Sequence, residues 1–174
     1  MKHLFFIALC AVFIKNVMQE ISNAQKLRLE LLWWLLTGLF LVLVLSPIYL
    51  YAEGYPFWMT NIIYIVTFVT VVRYIFLLPT TFLAKMQWLK VALICVTIPA
   101  AFMIIQELNR FQVFLDYNES EALVGLLPIE TSRAMVKYVR SEFILFGVGS
   151  VIALVILPFR MIRSVWRYRN TGQP

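Results

Sequence analysis

The chain has 174 residues, 62% of them hydrophobic and 14% charged, with a net charge of +6. So little polar surface excludes an ordinary water-soluble domain, and the segments outside the apolar stretches are too short to form a second one. Bases that flank long apolar runs point to lipid head groups rather than to nucleic acid.

Residues 1–30 open the chain. Leu4–Ile14 is apolar but too short to span a bilayer. Its length suits a signal-peptide core, and Ser22-Asn23-Ala24 resembles a cleavage site. Lys15 and Glu20 interrupt that pattern, and cleavage would leave Lys26 and Arg28 on the wrong side. The preferred reading is an interfacial helix. Ile14, Val17, Met18, Ile21 and Ala24 form its apolar face, opposite Asn16, Gln19, Glu20 and Asn23.

Four apolar stretches follow, at residues 31–51, 57–78, 88–105 and 143–159, and together they hold only two charges, Arg73 and Lys90. At about 1.5 Å per helical residue, each crosses or nearly crosses a hydrocarbon core of about 30 Å. Lys26 and Arg28 precede the first stretch, Lys85 lies between the second and third, and Arg160, Arg163, Arg167 and Arg169 follow the fourth. The opposite side carries Glu53 and a loop, 106–142, with six acids against four bases. Positive residues gather on the cytoplasmic side, so both termini are expected there. Trp33, Trp34, Tyr74, Trp88 and Trp166 mark the inner edge, and Tyr49, Tyr51, Tyr55, Trp58 and Tyr117 the outer one.

The loop divides at Asp116–Glu121, a polar turn. After Pro128, a short amphipathic extracytoplasmic helix is expected over Ile129–Glu142, with Ile129, Met135 (or Ser132), Val136 and Val139 as its apolar stripe. The third span is expected to continue as helix to about Leu115. The expected fold is therefore all-α. It is an integral membrane four-helix bundle with an N-terminal interfacial helix, an extracytoplasmic helix between spans three and four, and a basic tail over 160–174.

Polar residues inside the spans are the candidate functional ones. Thr60, Tyr64, Thr67 and Tyr74 share one face of span two, broken by Val71. They are candidates for a wet groove, set against interhelical hydrogen bonding, and Arg73 is set between an ion pair or anion contact within the bundle and a snorkelling arginine. Gly147, Ser150 and Ala153 form a small-residue face that allows close helix packing, within the bundle or between copies. Arg160, Arg163, Arg167 and Arg169 are expected to meet anionic lipid head groups. Pro47 and Pro99 are expected to kink their helices.

Catalytic inventory is thin. His3 stands by itself, and Cys10 and Cys95 sit far apart in apolar runs. No nucleophile–base pair, phosphate loop or metal-ligand spacing is present in the sequence. No cofactor is expected.

Asn23-Ala24-Gln25-Lys26-Leu27-Arg28-Leu29-Glu30-Leu31-Leu32-Trp33-Trp34, Phe146-Gly147-Val148-Gly149-Ser150 and Leu157-Pro158-Phe159-Arg160 resemble a family of small, uncharacterised four-span bacterial inner-membrane proteins. That resemblance implies a bacterial cytoplasmic membrane and carries over no activity, cofactor or site residue. The expected function is that of a non-enzymatic subunit, scaffold or accessory factor with a membrane-protein partner or a second copy. The alternative is a small oligomeric transporter or channel. A third reading, a lipid-modifying enzyme, would use Glu107, Asp116 and Arg110.

Overall fold

The computed structural model describes residues 23–52, 54–84, 86–118, 121–125 and 127–171. The expected interfacial helix around Leu4–Ile14, with Cys10 and His3, lies outside the described residues. The described chain is helical: α1 (Asn23–Tyr51), α2 (Trp58–Leu77), α3 (Gln87–Tyr117), the single turn α4 (Glu121–Val124) and α5 (Ile129–Thr171). Four of these helices, α1, α2, α3 and α5, are long and apolar enough to cross a membrane.

Helix limits follow local chemistry. Helix α1 ends where Gly54 takes a positive φ of 77° ahead of Pro56, a conformation that glycine adopts without a Cβ penalty. Pro47 interrupts α1 and deprives the Leu43 carbonyl of its usual donor. The Ser46 hydroxyl donates to that carbonyl at 3.0 Å and repairs the gap. At the end of α3, both the backbone and the side-chain nitrogen of Asn118 donate to the Phe114 carbonyl at 3.0 Å. Helix α2 passes into α3 through two short 3-10 turns, Leu78–Thr80 and Phe82–Ala84. Buried Thr81 closes the first by donating its hydroxyl to the Leu78 carbonyl at 2.8 Å.

Two expected boundaries are absent. Residues 23–30, expected as the end of the N-terminal helix, are continuous with the first apolar stretch and form the first turns of α1. The segments expected as an extracytoplasmic helix, a fourth span and most of a basic tail are one helix of 43 residues, about 65 Å long. The reason is visible in the sequence around Glu142: it holds no glycine, proline or capping signal that would stop a helix. One buried stripe also runs the whole way, through Met135, Val139, Phe143, Phe146, Ser150, Leu154, Leu157, Met161 and Ser164. Ile129, expected on that stripe, is 72% exposed; six and ten residues before Met135 and Val139, it falls on another face of the helix.

Helix α5 is the axis of the bundle, packing along both α2 and α3, while α1 makes much sparser contact. Near Tyr55, rings close the bundle: Phe111 stacks on Phe143 with centroids 4.0 Å apart, and Phe57 meets Phe111, Phe114 and Phe143 edge-on. Such pairs add about 0.5–1.5 kcal/mol each beyond the area they bury. Lower down, Gly147 lets α5 approach its neighbours. A Cβ there would lie 2.6 Å from Leu108 Cδ2 and 2.8 Å from Tyr64 Cε2. Around exposed Gly38 of α1 there is nothing within 4 Å.

These two glycines make a paired test. Gly147→Ala is expected to cost about 1–3 kcal/mol through overpacking. Gly38→Ala is expected to stabilise by about 0.5–1 kcal/mol through helix propensity. Reversible unfolding in mixed micelles measures both.

Candidate functional site

Among the described residues, interhelical links made by buried polar side chains fall into three tiers, while Thr37 and Thr97 bond to carbonyls of their own helices. The lowest tier lies toward the C-terminal end of α5. Arg73, buried near the end of α2, reaches Glu30 of α1 at 2.7 Å. Its guanidinium also lies 5.6 Å from the centroid of Trp33 and 5.9 Å from that of Tyr74. The arginine makes an ion pair within the bundle, one of its two expected roles, and ties the start of α1 to the end of α2. Aromatic faces on two sides favour the cation, and the carboxylate supplies the opposite charge.

Lys90 serves the same tier from α3. Although its ammonium is fully buried, it donates to the Ala84 carbonyl at 2.7 Å, to Ser164 Oγ at 3.0 Å and to Gln87 Oε1 at 3.3 Å. Those three acceptors satisfy an ammonium's three donors. One side chain thus joins the turn before α3 to the far end of α5. Arg160 differs from the expected head-group role. It is half-buried, and its Nε donates to the Ile75 carbonyl at 3.0 Å, joining α5 to α2. Arg163, Arg167 and Arg169 are exposed on the same helix end.

The middle tier centres on Tyr64. Its hydroxyl donates to the Ile104 carbonyl of α3 at 3.0 Å, and its own carbonyl accepts from Ser150 Oγ of α5 at 3.0 Å. Three helices meet at this one residue. Gly147, Ser150 and Ala153 are all buried here, so the small-residue face is used inside the bundle. Thr60, Thr67 and Tyr74 are half-buried along α2. The face they share with Tyr64 does not form one open groove: Tyr64 is closed against α3 and α5, while Arg73 turns to α1.

The upper tier lies near the loop after α1. Asn61 Nδ2 donates to Glu142 Oε2 at 2.7 Å, both residues being buried. Tyr138 donates its hydroxyl to the Val44 carbonyl at 2.8 Å, holding α5 to the part of α1 that precedes Pro47. Glu107 and Arg110 pair with each other at 3.7 Å along one side of α3, and Asp116 is exposed further along the same helix. These three do not converge with a nucleophile. No group of three metal-ligating side chains gathers among the described residues.

Apolar grooves of about 360 Å³ lie on the sides of the bundle. One runs between α3 and α5 past Phe102, Ile105 and Pro158. Another runs between α1 and α2 past Trp33, Phe40 and Phe68.

Sequence reading singled out Arg73 and Tyr64 but passed over Glu30, Asn61, Glu142 and Ser164. A signal was available for Glu142 and Ser164, since both fall at helical spacing on the apolar stripe of α5. Nothing in the sequence pairs Glu30 with Arg73, which are brought together only when α1 folds back along α2.

A double-mutant cycle on Arg73→Gln and Glu30→Gln is expected to return a coupling of about 1–3 kcal/mol. Arg73→Gln alone should be the more harmful change, because it leaves Glu30 unpaired and removes both ring contacts. Unfolding in mixed micelles gives all four values. Compared with protein-family models, with curated proteins and with solved structures, the chain finds no match.

Proposed function

We propose that this chain is a non-enzymatic integral protein of a bacterial cytoplasmic membrane that acts as a subunit, scaffold or accessory factor of a membrane complex. One observation carries the reading. Buried polar side chains on α2, α3 and α5 fasten helix to helix, at Arg73–Glu30, Lys90–Ser164, Tyr64–Ile104 and Asn61–Glu142. A transport path needs polar groups left available to a passing solute along the bundle. Between the tiers here stand Ile65, Val71, Leu154 and Leu157, all buried and apolar.

The place for a partner is argued from α1. This helix rests on the bundle through a few fastenings and keeps a broad apolar face outward, with Leu35 and Leu50 each 70% exposed. A partner's membrane helix would lie against it without displacing any buried link. Exposed Arg163, Arg167 and Arg169 suit anionic lipid head groups at the cytoplasmic surface, at about 1 kcal/mol per base. The charge distribution supports cytoplasmic termini.

Orientation is tested by labelling single cysteines with a membrane-impermeant maleimide, after Cys10 and Cys95 are replaced by alanine. Tyr117→Cys is expected to label in intact spheroplasts. Arg169→Cys should label only after permeabilisation, and the reverse pattern inverts the topology. Function is tested by extracting the tagged protein in native lipid particles, measuring particle mass and identifying co-purifying chains. A stoichiometric second polypeptide is the expected result. A homo-oligomer that conducts ions or solutes in liposomes would replace this proposal with the transporter reading.

A further inference from the structure

Three buried oxygens collect in the upper tier with no hydrogen-bond partner: Glu142 Oε1, Asn61 Oδ1 and Tyr55 Oη. The residues that carry them are 6%, 0% and 3% exposed. Glu142 sits on the apolar stripe of α5, next to Phe143 and one turn from Val139. Its neighbourhood is built from rings, with Phe143 4.9 Å from Tyr64 and 5.7 Å from Phe57. The carboxyl's one hydrogen bond comes from a neutral amide, and the ion pairs among the described residues lie elsewhere, at Arg73–Glu30 and Arg110–Glu107. A carboxylate buried this way has neither solvent nor counter-charge, an arrangement that proteins avoid by neutralising the group.

We propose that Glu142 carries a proton at neutral pH and that, with Asn61 and Tyr55, it forms a buried single-proton site near the loop end of the bundle. A proton on Oε1 removes the charge and turns an unpartnered acceptor into a donor. Asn61 Oδ1 is a fitting acceptor. It belongs to the same amide whose nitrogen already holds Oε2, so acid and amide meet donor to acceptor on both sides. A proton also needs no room of its own among the packed rings. Tyr55 remains a hydroxyl throughout. Burial, then the charge Glu142 would bear if ionised, then Tyr64, all push its phenol above the ordinary value.

The groups around the site come from each neighbouring element. The loop supplies Tyr55, α2 supplies Asn61 and Tyr64, and α5 supplies Tyr138 one turn before Glu142. On α3, the charged side chains toward this end are Glu107 and Arg110, paired with each other, and the exposed Asp116. None of these presents Glu142 with a dedicated cation.

The sign of the pH effect follows. In the unfolded chain a glutamate releases its proton near pH 4.3. If the folded protein keeps it at neutral pH, unfolding releases one proton, and stability falls as pH rises. Between pH 5 and 7 the unfolding constant should rise about tenfold per pH unit from this group. Glu142→Gln should abolish that dependence, since glutamine is neutral and its amide supplies a donor where the acid had one.

The test is infrared spectroscopy of the full chain in native lipid particles, as wild type minus Glu142→Gln, together with unfolding of both across pH 5–7. A carboxylic-acid carbonyl band at pH 7 in the wild type, absent from Glu142→Gln, is the expected result. The variant should fold with at least wild-type stability at pH 7. A carboxylate band in its place overturns the proposal. So does a Glu142→Gln chain that cannot fold, because the closest neutral mimic of the acid must be tolerated. Replacing sodium by choline separates a metal occupant from a proton. Wild-type stability that depends on sodium and loses that dependence in Glu142→Gln would assign the site to the metal ion instead.

Discussion

A charge or polar group removed from water has to be matched where it sits, and in this bundle the matches are made between helices. Arg73 finds Glu30, Lys90 finds Ser164 and the turn before α3, and Tyr64 finds the Ile104 carbonyl. Each match fixes a helix pair at a definite height. Apolar packing alone would allow helices to slide, because leucine and valine faces are interchangeable along their length. The polar links provide registry, a use of buried polar groups that has good precedent in helical assemblies. In the bilayer that we propose surrounds the bundle, the loss of any one link would leave a polar group with no water to replace the partner.

The tiers also explain the unequal roles of the helices. Helix α5 belongs to all three tiers, through Ser164 and Arg160, then Ser150, then Glu142 and Tyr138. Its single uninterrupted run is what carries one buried stripe past every other element. Helix α1 is held differently. Glu30 fastens one end, Tyr138 grips the Val44 carbonyl near Pro47, and Phe40 sits 5.8 Å from Phe146 between them. A helix attached at a few points and apolar on its outer face fits the association we propose.

Length and composition made the four membrane-length helices legible, because about 20 apolar residues in succession have few other uses. The joins were harder to read. The expected break between the extracytoplasmic helix and span four rested on a change from polar to apolar residues near Glu142. Helix formation depends on backbone hydrogen bonding and on the absence of stop signals, not on that change, so the helix continues. Glu142 was read as one of several loop acids, and only the stripe running through it shows that it faces inward.

Local sequence determined where helices are possible, where Gly54 and Pro128 must end or start them, and that the outer surface is apolar. These properties depend on neighbours a few residues away and on how residues partition between water and hydrocarbon. Tertiary structure alone decided what the polar residues do. Arg73 meets Glu30 across 43 positions, Lys90 meets Ser164 across 74, and Asn61 meets Glu142 across 81. No periodicity within one helix encodes such a pairing, because it depends on the relative height and rotation of two helices. Close packing sets both, as where Gly147 leaves no room for a Cβ beside Leu108 and Tyr64.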